Sequence, residues 1–95
     1  MVYLALSSDA AREVVVLAGS SGASVWIGSD GLSDAEYNQA GERGVKISRF
    51  IYPLAEADAG TIERAVATVI QHHLNETVWV ERPNASSLVE LEHRA

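Results

Sequence analysis

The chain contains no cysteine, one methionine, one phenylalanine and two prolines among its 95 residues. Without cysteine there can be no disulfide, thiolate metal site or cysteine nucleophile, and the composition fits a reducing compartment. No apolar stretch reaches the roughly 18 residues that a bilayer-crossing helix requires. The opening "MVYLALSSD" places no basic region ahead of its short apolar run. Both observations predict a soluble cytoplasmic protein. Two Asn-x-Ser/Thr triplets, Asn75-Glu76-Thr77 and Asn84-Ala85-Ser86, are then chance matches, because glycosylation needs secretion. Positive charge is scarce: 7 Lys and Arg face 13 Asp and Glu, a formal net charge of -6. Such a field repels nucleic-acid backbones and anionic lipid, so neither nucleic acid nor membrane is expected as a partner. A basic protein, a second copy of the chain or a small ligand remains.

What is present is an internal echo. "AGSSGASVWI" (Ala18 to Ile27) and "AGERGVKISR" (Ala40 to Arg49) share Ala-Gly, two polar residues, Gly, a small or branched apolar residue, a polar one and then Val or Ile, 22 positions apart. A looser third copy, "HHLNETVWVE" (His72 to Glu81), puts Asn75 where Gly22 and Gly44 stand, and Val78-Trp79-Val80 where Val25-Trp26-Ile27 stand. Glycine and asparagine best tolerate the positive φ of a left-handed helix stop. Three helix-to-strand junctions are predicted.

The segments ahead of the junctions read as helices. Ile62, Ala65, Val66, Val69, Ile70, His73 and Leu74 recur at three- and four-residue spacing. Ser33 with Glu36 has the spacing of a capping box, and Leu32 with Tyr37 that of a hydrophobic staple, which starts a helix at Asp34. "DAAREVVVLAG" offers Asp9 as a cap and Ala10, Ala11, Val14, Val15 and Ala18 on one face, although its valine run taken alone favours a strand.

Strands are predicted over Val2 to Ser7, Ser24 to Gly28, Val45 to Tyr52 and Thr77 to Arg82, with Pro53 and Pro83 closing the last two. The order β-α-β-α-β-α-β predicts a small α/β domain over residues 1–83, with four mostly parallel strands and three helices. Residues 84–95 follow as a polar, flexible tail, with the spacing of Ser87, Leu88, Glu90 and Leu91 allowing one helical turn. The alternative is an α+β domain in which Val14 to Ala18 forms a hairpin with Ala23 to Ile27.

The glycine-rich stretch Gly19 to Gly22 does not read as a phosphate loop. Its glycines are spaced G-x-x-G, and it follows a helix and precedes a strand, the reverse of the order that aims helix amides at an anion. In a parallel sheet any ligand site belongs beyond the opposite, C-terminal strand ends. That edge carries Ser7, Ser8 and Asp9, then Gly28, Ser29, Asp30, Gly31 and Ser33, then Tyr52 and Glu56, then Glu81 and Arg82. Ser8, Asp9, Ser29, Asp30 and Arg82 are the candidate ligand-binding residues. Ser and Asp are also the preferred helix caps, which is their plain structural reading.

No catalytic set emerges. There is no G-x-S-x-G elbow. His72 and His73 are adjacent and diverge by about 100° on a helix, so they cannot clamp one metal together. Either of them with Glu76 lacks a third ligand, so neither a metal nor a cofactor is expected. Arg49, charged within an apolar strand, marks a sheet edge, a tip near the sheet's end, or a partner for a carboxylate such as Asp30 or Glu56. If helices cover only one face of the sheet, Trp26, Phe50, Tyr52 and Trp79 line the other as an aromatic interaction face. The primary expectation is therefore a non-enzymatic protein-interaction or self-associating module. The alternative is a small-ligand, nucleotide or phosphate-binding protein, or an enzyme, with its site at the C-terminal strand edge.

Overall fold

The computed structural model describes residues 1–82, and the backbone of residues 91–94. The elements follow in the order β1 (Val2–Ala5), α1 (Ser8–Ser21), β2 (Ser24–Ile27), α2 (Asp34–Glu42), β3 (Lys46–Arg49), α3 (Ala59–His72), β4 (Val78–Glu81) and β5 (Leu91–Arg94). One sheet has the order β3-β2-β1-β4-β5. Its first four strands run parallel, and β5 is antiparallel to β4. This is a small α/β domain, with three helices among the described residues. Of the tail expected over 84–95, residues 84–90 and 95 lie outside the described residues, as does Pro83.

The α+β alternative is overturned at α1. Ser7 caps the helix, its side chain accepting from the Ala10 amide at 3.2 Å. Gly22 closes it with φ 76° and donates its N–H to the Ala18 carbonyl. Between these stops Ala10, Ala11, Val14 and Ala18 form a buried stripe. Burying that stripe and capping both ends outweigh the strand preference of three consecutive valines. Asp9 is not the cap: Ser7, two residues earlier, takes that place.

All three junctions reach the left-handed region, at Gly22 (φ 76°), Gly44 (φ 87°) and Asn75 (φ 67°). The third is one residue out of step with the others. Val25, three residues past Gly22, pairs with Ile47, three past Gly44. Val25 also lies level with Tyr3, and Tyr3 is level with Trp79, four residues past Asn75. A one-residue slip moves a side chain to the other face of a sheet. Trp26, level with Leu4 and Val80, and Trp79 therefore point to opposite faces.

Helices cover both faces, so the single uncovered aromatic face does not exist as expected. On one side α1 and α2 bury Tyr3, Ala5, Val25 and Ile27, and Trp79 packs half-buried against this cluster. On the other, Ala65, Val66 and Val69 of α3 bury Val2, Leu4, Val78 and Val80 of β1 and β4, with Leu6 just past β1. Each fully buried Val or Leu contributes roughly 1.5–3 kcal/mol relative to exposure. Among the described residues α3 is the only helix on its side, and it lies over β1 and β4. The same side of β2 and β3 carries Trp26, Ser48, Phe50 and Tyr52, of which only Phe50 is buried.

Candidate functional site

The chain steps from β1 to β2 to β3 in one direction and then places β4 on the far side of β1. The crevice between the C-terminal ends of β1 and β4 is thus the switch point at which doubly wound sheets bind ligands. Here it is filled from within. The carboxylate of Glu81, only 8% exposed, accepts the Leu6 N–H at 2.6 Å and the Ser7 N–H at 2.8 Å on Oε1. Its Oε2 accepts the Ser7 hydroxyl at 2.9 Å. These donors, just ahead of α1, are the ones that would meet an incoming phosphate. They also end β1 at Ala5, two residues before its expected limit, because their bonds go to a side chain rather than to a strand. The only sequence signal was an acidic residue ending the apolar strand "VWVE".

The strand-edge candidates separate into roles. Ser8 and Asp30 meet, the Ser8 hydroxyl donating to the Asp30 carbonyl at 3.2 Å. The Asp30 carboxylate accepts the amides of Leu54 at 3.0 Å and Ala55 at 3.3 Å, tying the β2–α2 loop to the β3–α3 loop. Ser29 donates its N–H to the Tyr52 carbonyl at 2.9 Å in the same crossing. The loops approach so closely at Gly28 that a Cβ there would stand 2.7 Å from the Leu54 nitrogen. Asp9 is exposed and stands 3.8 Å from Arg12. Arg82 is exposed just past β4.

Arg12 itself pairs with Glu36 of α2 at 2.9 Å. That bond, together with the Ser33 amide of the capping box, holds the Glu36 carboxyl down at about 2. Arg49 lies on the β3 edge as its charge suggested, and its partner is Asp34 at 2.8 Å, with the guanidinium 4.4 Å over the Tyr37 ring.

The half-covered face of β2 and β3 is a continuous aromatic surface. Trp26 stands 5.2 Å from Phe50 and 5.3 Å from the His72 ring, and Phe50 stands 5.2 Å from Tyr52. The Trp26 indole N–H donates to His73 Nε2 at 3.0 Å, so His73 carries its proton on Nδ1 and donates it to Glu76 at 2.8 Å. This bond and that from the Met1 ammonium hold the Glu76 carboxyl below its ordinary range. Both imidazole nitrogens of His73 are thereby engaged, which closes it as a metal ligand. Among the described residues no three His, Asp or Glu side chains gather for a metal, and no helix is long and apolar enough to cross a membrane.

At its upper end the aromatic surface opens into a cleft of about 750 Å³ lined by Tyr52, Pro53, Ala57, Asp58, Thr61, Arg64 and Thr68. Asp58 is committed there as the cap of α3, its carboxyl lowered by the Thr61 amide. Sequence reasoning named Trp26, Phe50 and Tyr52, which do come together, and Trp79, which does not. It missed the contributions of Thr68, Arg64 and His72, whose i, i+4 spacing along one flank of α3 was available. Comparison of the chain with protein-family models, with curated proteins and with solved structures finds no match.

Proposed function

We propose that this chain is a non-enzymatic protein-docking module acting in the cytoplasm, and that it docks through the β2–β3 part of the sheet on the α3 side. The observation that carries this reading is the vacant helix position beside α3. Among the described residues two helices pack on one side of the sheet and one on the other, which leaves Trp26, Ser48 and Tyr52 half-exposed beside the buried Phe50. Exposed or half-exposed aromatics gathered on one surface mark interaction sites, and aromatic residues are enriched in interface cores. The engagement of the switch-point donors by Glu81 argues in the same direction, since it removes the usual place for a nucleotide phosphate.

The module is tested by a photo-crosslinking amino acid at position 48, on the face, and at position 38, on the exposed side of α2. Protein adducts from position 48 and none from position 38 are expected. Equal or absent adducts would remove the reading.

A small-ligand reading is favoured by one observation, the size of the cleft at Arg64, which falls within the range of small-molecule sites. It shifts the site from the strand edge to the flank of α3. A thermal-shift screen of small carboxylates and phosphates, repeated on Arg64→Ala, checks it: a stabilisation lost in the variant supports the cleft as a binding site.

A further inference from the structure

Three side chains at the end of α3 are joined by bonds that hold only while one of them is uncharged. An indole N–H is a donor and nothing else, and that of Trp26 donates to His73 Nε2 at 3.0 Å. Nε2 is therefore the bare nitrogen of a neutral imidazole, and Nδ1 carries the proton given to Glu76 Oε2 at 2.8 Å. An imidazolium carries N–H on both nitrogens and accepts no hydrogen bond. One proton added to His73 thus sets two N–H groups against each other on the Trp26 side. On the other side the same proton turns the bond to Glu76 into an ion pair.

We infer that His73 is a proton-operated latch on Trp26, closed while the imidazole is neutral and opened when the cation stays with Glu76 and releases the indole. Histidine side chains change charge between about pH 5 and pH 8. The side chain of His73 is 17% exposed, so a solvent proton reaches it without unfolding the domain.

The groups around His73 pull in opposite directions. Glu76 favours the cation, and its carboxyl, held below the ordinary range, stays anionic over that interval. The Met1 ammonium, 3.1 Å from the other oxygen of Glu76, shares that charge and favours the neutral form. From β3, Lys46 lies level with Ser24, two residues before Trp26, and its charge acts in the same sense. His72, whose ring stands 5.3 Å from that of Trp26, opposes a second charge beside it. Its Nδ1 meets the Thr68 carbonyl at 2.9 Å, an acceptor only, so His72 donates the same bond in either charge state. This contest sets the midpoint, and lower pH opens the latch in every case.

Trp26 stands between His72 and Phe50 in the aromatic surface. Opening therefore unties β2 from the end of α3 on the face assigned to docking. What opening does to a docked partner rests on the docking reading above. The latch itself belongs to the single chain, so the two fail separately.

Proton–nitrogen NMR of the Trp26 indole and the His73 ring, from about pH 8 to about pH 5, tests the latch. The indole proton should move toward the position of an unbonded indole as pH falls, with the same midpoint as the His73 ring nitrogens. His73→Gln puts a non-titrating acceptor oxygen near the place of Nε2 and should hold the indole signal constant. His72→Gln should keep the transition. Glu76→Gln removes the anion that holds the cation and should lower the midpoint by about one pH unit. An indole signal that stays fixed while His73 titrates overturns the inference. So does a transition that survives His73→Gln, one that vanishes in His72→Gln, or a midpoint that Glu76→Gln leaves in place. If His73→Gln fails to fold by circular dichroism, the coincidence of the two wild-type midpoints and its persistence in His72→Gln decide the matter. An indole that titrates in a chain whose position 48 captures no protein removes the docking reading and leaves the latch standing.

Discussion

Glu81 and Ser7 are joined by two hydrogen bonds, one from the Ser7 amide at 2.8 Å and one from its hydroxyl at 2.9 Å. Together with the Leu6 amide they make the end of β4 an internal anion seated at the start of α1.

Removing that anion should cost stability and open a site. Glu81→Ala leaves the Leu6 and Ser7 amides without their acceptor, a loss on the order of 3 kcal/mol for buried unsatisfied donors. Glu81→Gln keeps one oxygen and should lose about half as much. Urea unfolding of both variants measures this. Inorganic phosphate at constant ionic strength should raise the melting temperature of Glu81→Ala and leave the wild type unchanged. An equal rise in both proteins would show that the carboxylate is not what fills the crevice.

Acid should weaken the contact between α1 and α2. Glu36 is held at about 2, against an ordinary value of 4.5, first by Arg12 and then by Ser33. Between those values the unfolded chain binds the proton more readily, so stability rises with pH across this window. The contribution is complete above about pH 4.5 and is lost as pH falls toward about 2. Glu76 and Asp58, both lowered, act in the same direction. Between neutral pH and about pH 3, Glu36→Gln should lose less stability than the wild type in thermal melts. A parallel decline would remove Glu36 as a source of the pH dependence.

Two glycine substitutions should move stability in opposite directions. At Gly28 a Cβ would stand 2.7 Å from the Leu54 nitrogen and 2.9 Å from the Leu54 Cβ, so Gly28→Ala forces two loops apart at roughly 1–3 kcal/mol. At Gly19, inside α1, a Cβ meets nothing within 4 Å. There Gly19→Ala should stabilise by roughly 0.5–1 kcal/mol through helix propensity. Chemical denaturation of the two variants gives both signs.

The indole–imidazole bond has its own signature. Trp26→Phe keeps a ring in the cluster but removes the donor to His73 Nε2. Nitrogen-15 spectra of the wild type should show His73 neutral with its proton on Nδ1, and the variant should lose that single tautomer. The expected cost is about 1 kcal/mol. A mixed tautomer population already present in the wild type would contradict the bond.

The parts of the fold that were legible in the sequence are those decided by a few neighbouring residues. Gly22, Gly44 and Asn75 announced left-handed stops because few other residues tolerate that backbone. Ser33 and Glu36 announced the start of α2, and both bonds of the box are present, each at 3.1 Å. What was not legible depends on partners far away in the chain. Asp9 and Ser7 are both good caps by composition, and only the placement of Ser7 beside Glu81, 74 residues away, distinguishes them. The similarity between "SVWI" and "TVWV" hid a one-residue difference in the distance from stop to ladder, which strand pairing alone reveals. Arg49 signalled the edge position of β3 correctly, but its choice of Asp34 over Asp30 or Glu56 follows from where α2 packs.

Because the two tryptophans face opposite ways, the molecule carries a built-in optical label for each side of its sheet. Anything that settles beside α3 should change the emission of Trp26, whose indole N–H and ring are both engaged there, and leave that of Trp79 as an internal reference. Single-tryptophan versions made by replacing one or the other with phenylalanine would then report which side of the protein an added molecule has reached.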